Sequence, residues 1–123
     1  MDGRRFEERL RDITNAHDVD GIVGFFRDDY ALVSPCHPSR NFVGTDQVRR
    51  NWTGMLADVP DLGVQVVSAV RSGDTVWSEW EMRGTRRDGV PHLLRGVIIF
   101  DVVEDQARAA RFFVEPVDTD PVW

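Results

Sequence analysis

Cysteine is nearly absent from this chain, since Cys36 is the only one. A lone cysteine cannot form an internal disulfide, and a zinc site built from several thiolates is excluded. Long hydrophobic runs are also absent: the run at residues 97–100 falls far short of the roughly 20 apolar residues that span a bilayer. The N-terminal residues are charged and lack the apolar segment of a secretory signal. These absences predict a cytoplasmic protein with no membrane partner.

Positive charge is scarce and lysine is missing, because all 15 basic residues are arginine against 21 acidic ones, for a net charge of −6. The arginine pairs at residues 4–5, 49–50 and 86–87 are scattered, and each lies near acidic residues. Nucleic-acid binding needs a continuous basic surface that attracts phosphates. The sequence therefore predicts no nucleic-acid partner.

The first half of the chain has the apolar spacing of helices. Apolar residues recur at helical intervals over residues 4–16, and a second helix is expected after Asp18, with Phe26 on its buried face. Residues 30–34 are expected to form a short strand. A third helix is expected after Gly44 or Thr45, either of which can cap it, and it ends before Pro60.

From residue 62 onward the apolar period changes from about 3.6 to 2, which is typical of strands. Four strands are predicted, at residues 63–71, 75–83, 93–103 and 107–115. Their short connections require an antiparallel meander. We therefore expect a single α+β domain over residues 1–117 with a short tail at 118–123. Its curved, mostly antiparallel sheet wraps around three helices and leaves a hollow of the kind that holds ligands.

The order of short motifs resembles the nuclear transport factor 2-like superfamily, which has a cone-shaped, cystatin-like α+β barrel. That superfamily includes ketosteroid isomerase, limonene epoxide hydrolase and the SnoaL-like polyketide cyclases. The resemblance covers roughly residues 5–117. It is carried by the segments 17–20, 26–30, 43–46, 72–76, 80–85, 96–100 and 111–117.

The resemblance implies where catalytic groups would lie, and this chain departs from the pattern at each place. The base of a ketosteroid isomerase would match Ser34 before Pro35, and its second carboxyl falls near Gly96. The Asp–Arg–Asp set of limonene epoxide hydrolase falls on three apolar residues, Trp80, Met82 and Phe112. The expected ligand-pocket wall contains Trp52, Ser78, Trp80, Met82, Ile98, Phe100, Phe112 and Val114.

A register shifted by one residue would exchange the side chains that face the hollow for those that face outward, because alternate side chains of a strand face opposite ways. Glu79, Glu81 and Arg83 would then face the hollow, together with Arg111 and Glu115. The hydrophobic pattern favours the unshifted register, in which these charged residues lie on the outer face.

Three residues are the candidate catalytic groups: His37, Tyr30 and Ser34. His37 follows the first predicted strand, and an imidazole is the side chain best suited to proton transfer near neutral pH. A nucleophilic pairing of Cys36 with His37 is disfavoured, because neighbouring residues rarely point at each other. The histidines His17, His37 and His92 lack metal-ligand spacing, so neither a metal nor a cofactor is predicted.

Two main functions remain open from the sequence, and a role as a subunit of a larger complex is a third. One is an isomerase, cyclase or hydrolase without a metal that acts on an apolar, ring-containing metabolite. The other is a non-catalytic ligand-binding or dimerisation module. Large apolar residues on the outer face of the strands, namely Trp77, Val97, Ile99 and Phe113, further predict a homodimer through the sheet.

Overall fold

The computed structural model describes residues 3–118, which form three α-helices and one six-stranded sheet. The helices are α1 (Phe6–Asn15), α2 (Val19–Val23) and α3 (Thr45–Asp58). The strands are β1 (Phe26–Val33), β2 (Phe42–Val43), β3 (Gly63–Ser72), β4 (Thr75–Thr85), β5 (Pro91–Val103) and β6 (Gln106–Pro116). The predicted α+β class is confirmed. Residues 119–123 of the predicted tail lie outside the described residues.

The sheet has the strand order β2-β1-β6-β5-β4-β3. Strands β3 to β6 form the predicted antiparallel meander, whereas β1 pairs with β6 in parallel. The two ends of this order, β2 and β3, are edge strands, so the sheet is curved but not closed into a barrel.

The first strand begins earlier than the sequence suggests, and α2 is correspondingly short. Asp18 caps α2 as expected by accepting a hydrogen bond from the Gly21 amide at 3.0 Å. The helix ends at Val23, and Phe26 lies in β1, opposite Ala107 of β6. The helical spacing that placed Phe26 on α2 is overridden by this strand pairing.

Side chains at the end of α1 and just after it fix the helices to the edge of the sheet. The Asn15 amide donates to the Val64 carbonyl oxygen at 3.0 Å and accepts from the Val64 N–H at 2.7 Å. The His17 ring donates to the carbonyl oxygen of Leu62 at 2.7 Å. His17 therefore holds the α1–α2 connection against the start of β3.

The alternation of burial along β4 settles which face of the sheet meets the helices. Trp80 and Met82 are buried, whereas Glu79 and Arg83 are exposed. Glu81 accepts hydrogen bonds on the outer face from Arg83 and Arg95, each at 2.9 Å from Nε. The structure thus has the unshifted register, and the charged residues of the alternative register lie on the outer face, where Glu81 forms ion pairs with Arg83 and Arg95.

Candidate ligand-binding cavity

A cavity of about 580 Å³ lies between the concave face of the sheet and the helices. This volume falls within the range of about 300–1,000 Å³ that is typical of small-molecule sites. Its deep wall is apolar and comes from β1, β4, β5 and β6. That wall contains Phe26, Trp80, Met82, Ile98, Phe100 and Phe112.

Most of the expected wall residues line the cavity, but two lie behind it. Trp52, Trp80, Met82, Ile98, Phe100 and Phe112 are all lining residues. Ser78 and Val114 are buried in the core and do not line the cavity. The Ser78 hydroxyl donates to the Ile98 carbonyl oxygen at 2.7 Å and accepts from the Trp80 indole at 2.8 Å. Ser78 therefore orients the Trp80 ring and has no polar atom to offer a ligand.

Tyr30 and Ser34 place hydroxyl groups on the cavity wall from β1 and its end. Both residues are buried, with 3% and 2% of their surfaces exposed, and both line the cavity. The Tyr30 hydroxyl has no hydrogen-bond partner among residues 3–118. Burial raises the pKa of Tyr30 far above its usual value, so the phenol stays protonated and can donate a hydrogen bond.

His37 lies beside the cavity rather than in its wall. It precedes the short 3₁₀ turn Pro38–Arg40, and its Nε2 lies 2.7 Å from Oε1 of Glu115 on β6. The Glu115 side chain faces outward from β6, because alternate side chains face opposite ways and its neighbour Val114 is buried. The imidazole thus pairs with a carboxylate at the outer edge of the mouth, and it does not reach the lining.

The mouth of the cavity is polar and was not anticipated from the sequence. Arg40, Asn41, Gln47 and Asn51 line it, and all of them except Gln47 are exposed. Gln47 and Asn51 share a face of α3 with Val48, Trp52 and Met55, which also line the cavity. The spacing of the two amides by four residues was the available signal, but it was hidden within a mainly apolar helix face.

The cavity wall lacks a base in the part of the chain that the structure describes. No aspartate, glutamate or histidine is among its lining residues. Residues 3–118 also hold no group of three or more His, Cys, Asp and Glu side chains that could bind a metal. Cys36 is exposed, outside the lining.

Gly96 cannot carry the second carboxyl group of the ketosteroid isomerase pattern. Its φ is +154°, and a Cβ built there would lie 2.0 Å from the Phe113 carbonyl oxygen. The close pairing of β5 with β6 leaves no space for any side chain at this position.

No helix within residues 3–118 is long and apolar enough to cross a membrane.

Solved structures share this fold at low sequence identity. A protein with a ketosteroid isomerase-like fold from Catenulispora acidiphila, in complex with trimethylamine, is 14% identical with a TM-score of 0.75, over 87% of this chain and 82% of that one. A nuclear transport factor 2-like protein from Exiguobacterium is 20% identical with a TM-score of 0.75, over 94% and 100%. AclR from Streptomyces galilaeus, a proposed hydroxylase, is 18% identical with a TM-score of 0.77, over 89% and 73%.

The comparison with protein families gives a match over most of the chain. No curated protein matches the sequence. The family model of the SnoaL-like domain matches residues 8–112, a range that includes every lining residue of the cavity. The chain therefore belongs to the SnoaL-like domain family.

Proposed function

We propose that this SnoaL-like domain binds a small, apolar, ring-containing molecule in its cavity. The observation that carries the proposal is the composition of the deep wall, which is built from aromatic and aliphatic side chains. Burial of apolar surface on such a wall contributes about 25 cal/mol per Å² of ligand surface removed from water. Aromatic walls such as Trp80, Phe100 and Phe112 also favour planar rings by offset or edge contacts.

Binding without acid–base turnover is better supported than catalysis. Isomerases and hydrolases of this fold class need a group that accepts a proton in the transition state. The ionisable side chains of the described lining are Tyr30 and Arg40, and both offer hydrogen-bond donors rather than a base. Relatives of the same fold are called a proposed hydroxylase and a proposed polyketide cyclase, but the residue types for proton removal are missing here.

Catalysis of an isomerisation, cyclisation or hydrolysis remains the second candidate, and one observation favours it. The Tyr30 hydroxyl faces the cavity without a partner among the described residues. A buried donor of this kind stabilises an oxyanion that develops on a bound ligand. Turnover would then depend on Tyr30 and Ser34 together with the shape of the cavity, and His37 would act only from outside the wall.

A fluorescent ring probe tests the binding proposal. N-phenyl-1-naphthylamine is neutral, and its emission rises when it leaves water. We expect saturable binding that is weakened more than tenfold by Leu94→Trp, because Leu94 is a half-buried lining residue and an indole there fills the cavity. The matched control is Leu93→Trp, since Leu93 faces the other side of β5. Equal binding to both variants would contradict the proposal.

We also propose that a second copy of the chain covers the outer face of the sheet. Trp77 is 48% exposed there, and its cross-strand neighbour Val70 is 64% exposed. Contiguous apolar surface of this kind is typical of interfaces. The same face carries the mixed-charge group of Glu81, Arg83 and Arg95. Mixed charge allows a two-fold interface, in which each patch meets an identical one.

A further inference from the structure

The polarity of the cavity is divided between its depth and its mouth. The lining residues that carry an amide or a charge all lie in residues 40–51, which run from the 3₁₀ turn into α3. The deep wall is apolar apart from hydroxyl groups. A ligand that fills both parts must therefore have an apolar body and one polar end.

Each amide oxygen at the mouth already accepts one hydrogen bond within the protein. Asn41 Oδ1 accepts from the Ser34 amide at 2.7 Å. Asn51 Oδ1 accepts from Gln47 Nε2 at 2.6 Å, and Gln47 Oε1 accepts from Arg50 at 2.8 Å. The Nδ2 groups of Asn41 and Asn51 have no acceptor among residues 3–118. The mouth thus presents donors to a ligand.

Arg40 adds a positive charge to these donors. It is the only charged residue among the described lining residues of the cavity, in a chain whose net charge is −6. Its nearest acidic partner is Glu115, at 3.9 Å from Nη1, and that carboxylate is more closely engaged by His37 at 2.7 Å. At 3.9 Å the contact lies outside hydrogen-bond distance, so the guanidinium keeps its donors for another acceptor.

We propose that the cavity selects a ring-containing molecule that bears a carboxylate, with the ring against the deep aromatic wall and the carboxylate at the mouth on Arg40, Asn41 and Asn51. This inference rests on the proposed function of small-molecule binding. A guanidinium and amide N–H groups match the geometry and charge of a carboxylate. An ammonium group there would meet the like charge of Arg40 and amide oxygens that each already accept a hydrogen bond.

A matched series of naphthalene probes tests the selectivity. The probes are 2-naphthoate, 2-naphthylmethanol and 2-naphthylmethylammonium, which share one ring body and differ in the polar end. Dissociation constants are measured by displacement of N-phenyl-1-naphthylamine. We expect 2-naphthoate to bind about three- to tenfold more tightly than the alcohol, and the ammonium to bind most weakly.

Two substitutions with opposite expected effects on the affinity for 2-naphthoate test which residues select the carboxylate. Arg40→Gln should weaken the binding of 2-naphthoate about three- to tenfold and change the dissociation constant of the alcohol by no more than about twofold. Glu115→Gln removes a negative charge 3.9 Å from Arg40 and should tighten 2-naphthoate about twofold or more. The matched control is Arg108→Gln: its side chain is 55% exposed, against 57% for Arg40, and pairs with Asp101 away from the cavity. Arg108→Gln should leave the dissociation constants of both probes unchanged.

The outcomes separate this inference from the proposed function. Suppose that the neutral probe binds and Leu94→Trp weakens its binding, but 2-naphthylmethanol binds as tightly as 2-naphthoate. The carboxylate inference is then overturned, and the binding function stands. An Arg40→Gln variant that weakens both probes equally also overturns the inference. If the neutral probe does not bind, or if Leu94→Trp leaves it unchanged, the proposed function itself fails.

Discussion

Gly96→Ala tests whether the position of the family's second acid is closed to every side chain. Gly96 lies in β5 opposite Val114, with φ at +154°. An added Cβ would lie 2.0 Å from the Phe113 carbonyl oxygen and 2.7 Å from the Val114 Cα, whereas real contacts of this type stay above 3.0 Å. Both neighbours are backbone atoms of a paired strand, so the clash is relieved only by moving β5 away from β6.

The expected loss follows from two contributions. A side chain held in a sparsely populated backbone conformation costs about 1–3 kcal/mol. Overpacking against fixed neighbours costs about 1–3 kcal/mol more. Their sum of about 2–6 kcal/mol is a large part of the 5–15 kcal/mol that stabilises a typical domain. At an m value of about 2 kcal/mol per molar urea, the midpoint should fall by about 1–3 M.

Urea unfolding followed by tryptophan fluorescence measures this loss, and Gly63→Ala is the control. Gly63 begins β3, and nothing lies within 4 Å of a Cβ built there. Its substitution should leave the free energy of unfolding unchanged or raise it by up to about 1 kcal/mol, since alanine restricts the unfolded chain. If Gly96→Ala loses less than about 1 kcal/mol, β5 and β6 are able to separate, and the claim that Gly96 excludes a carboxyl group is refuted.

Three further predictions concern the sheet. Trp77→Arg places a charge in the exposed outer face and should convert the proposed homodimer to a monomer in sedimentation velocity; a wild-type protein that is monomeric at micromolar concentration would contradict the proposed dimer. Ser78→Ala leaves the Trp80 indole N–H buried without its acceptor, so the free energy of unfolding should fall by about 1–3 kcal/mol in urea titrations, and an unchanged midpoint would contradict the described contact. Hydrogen bonds from Arg95, and then Arg83, hold the pKa of Glu81 below its usual value, so the stability it contributes is present above the usual carboxylate pKa and is lost as the pH falls through the lowered one. The melting temperature of Glu81→Gln should therefore lie below that of the wild type at pH 7 and equal it in acid. Glu79→Gln, which removes a carboxylate without an ion pair among the described residues, is the control. A difference in melting temperature that is constant at all pH values would exclude the ion pairs as its source.

The fold could be predicted from local patterns wherever neighbours in the sequence are also neighbours in space. The meander from β3 to β6 is of this kind, because alternation fixes each face and short turns fix each pairing. The parallel pairing of β1 with β6 is not, since Phe26 and Ala107 are brought together only by the complete fold. The two-residue strand β2 was missed for the same reason, because only its pairing with β1 defines it.

The candidate site also has a part that local sequence patterns predict and a part that depends on contacts between distant residues. The alternation that buries Trp80 and Met82 identified the deep wall from sequence. His37 was a candidate catalytic group because it follows β1, but its contact with Glu115, 78 residues later in the chain, holds the imidazole at the outer edge of the mouth. Neither periodicity nor motif spacing contains such a contact.

The groups that remain in the cavity indicate what chemistry it can support. The Tyr30 phenol, whose raised pKa keeps it protonated, and the Arg40 guanidinium both stabilise negative charge on a ligand. Neither side chain is a general base, and the described lining contains no carboxylate. Under the carboxylate proposal, an anion that arrives already formed would meet hydrogen-bond donors, whereas one that must be created by proton removal would find no base among the described lining residues. This asymmetry favours binding of a preformed anion over a proton-abstraction reaction.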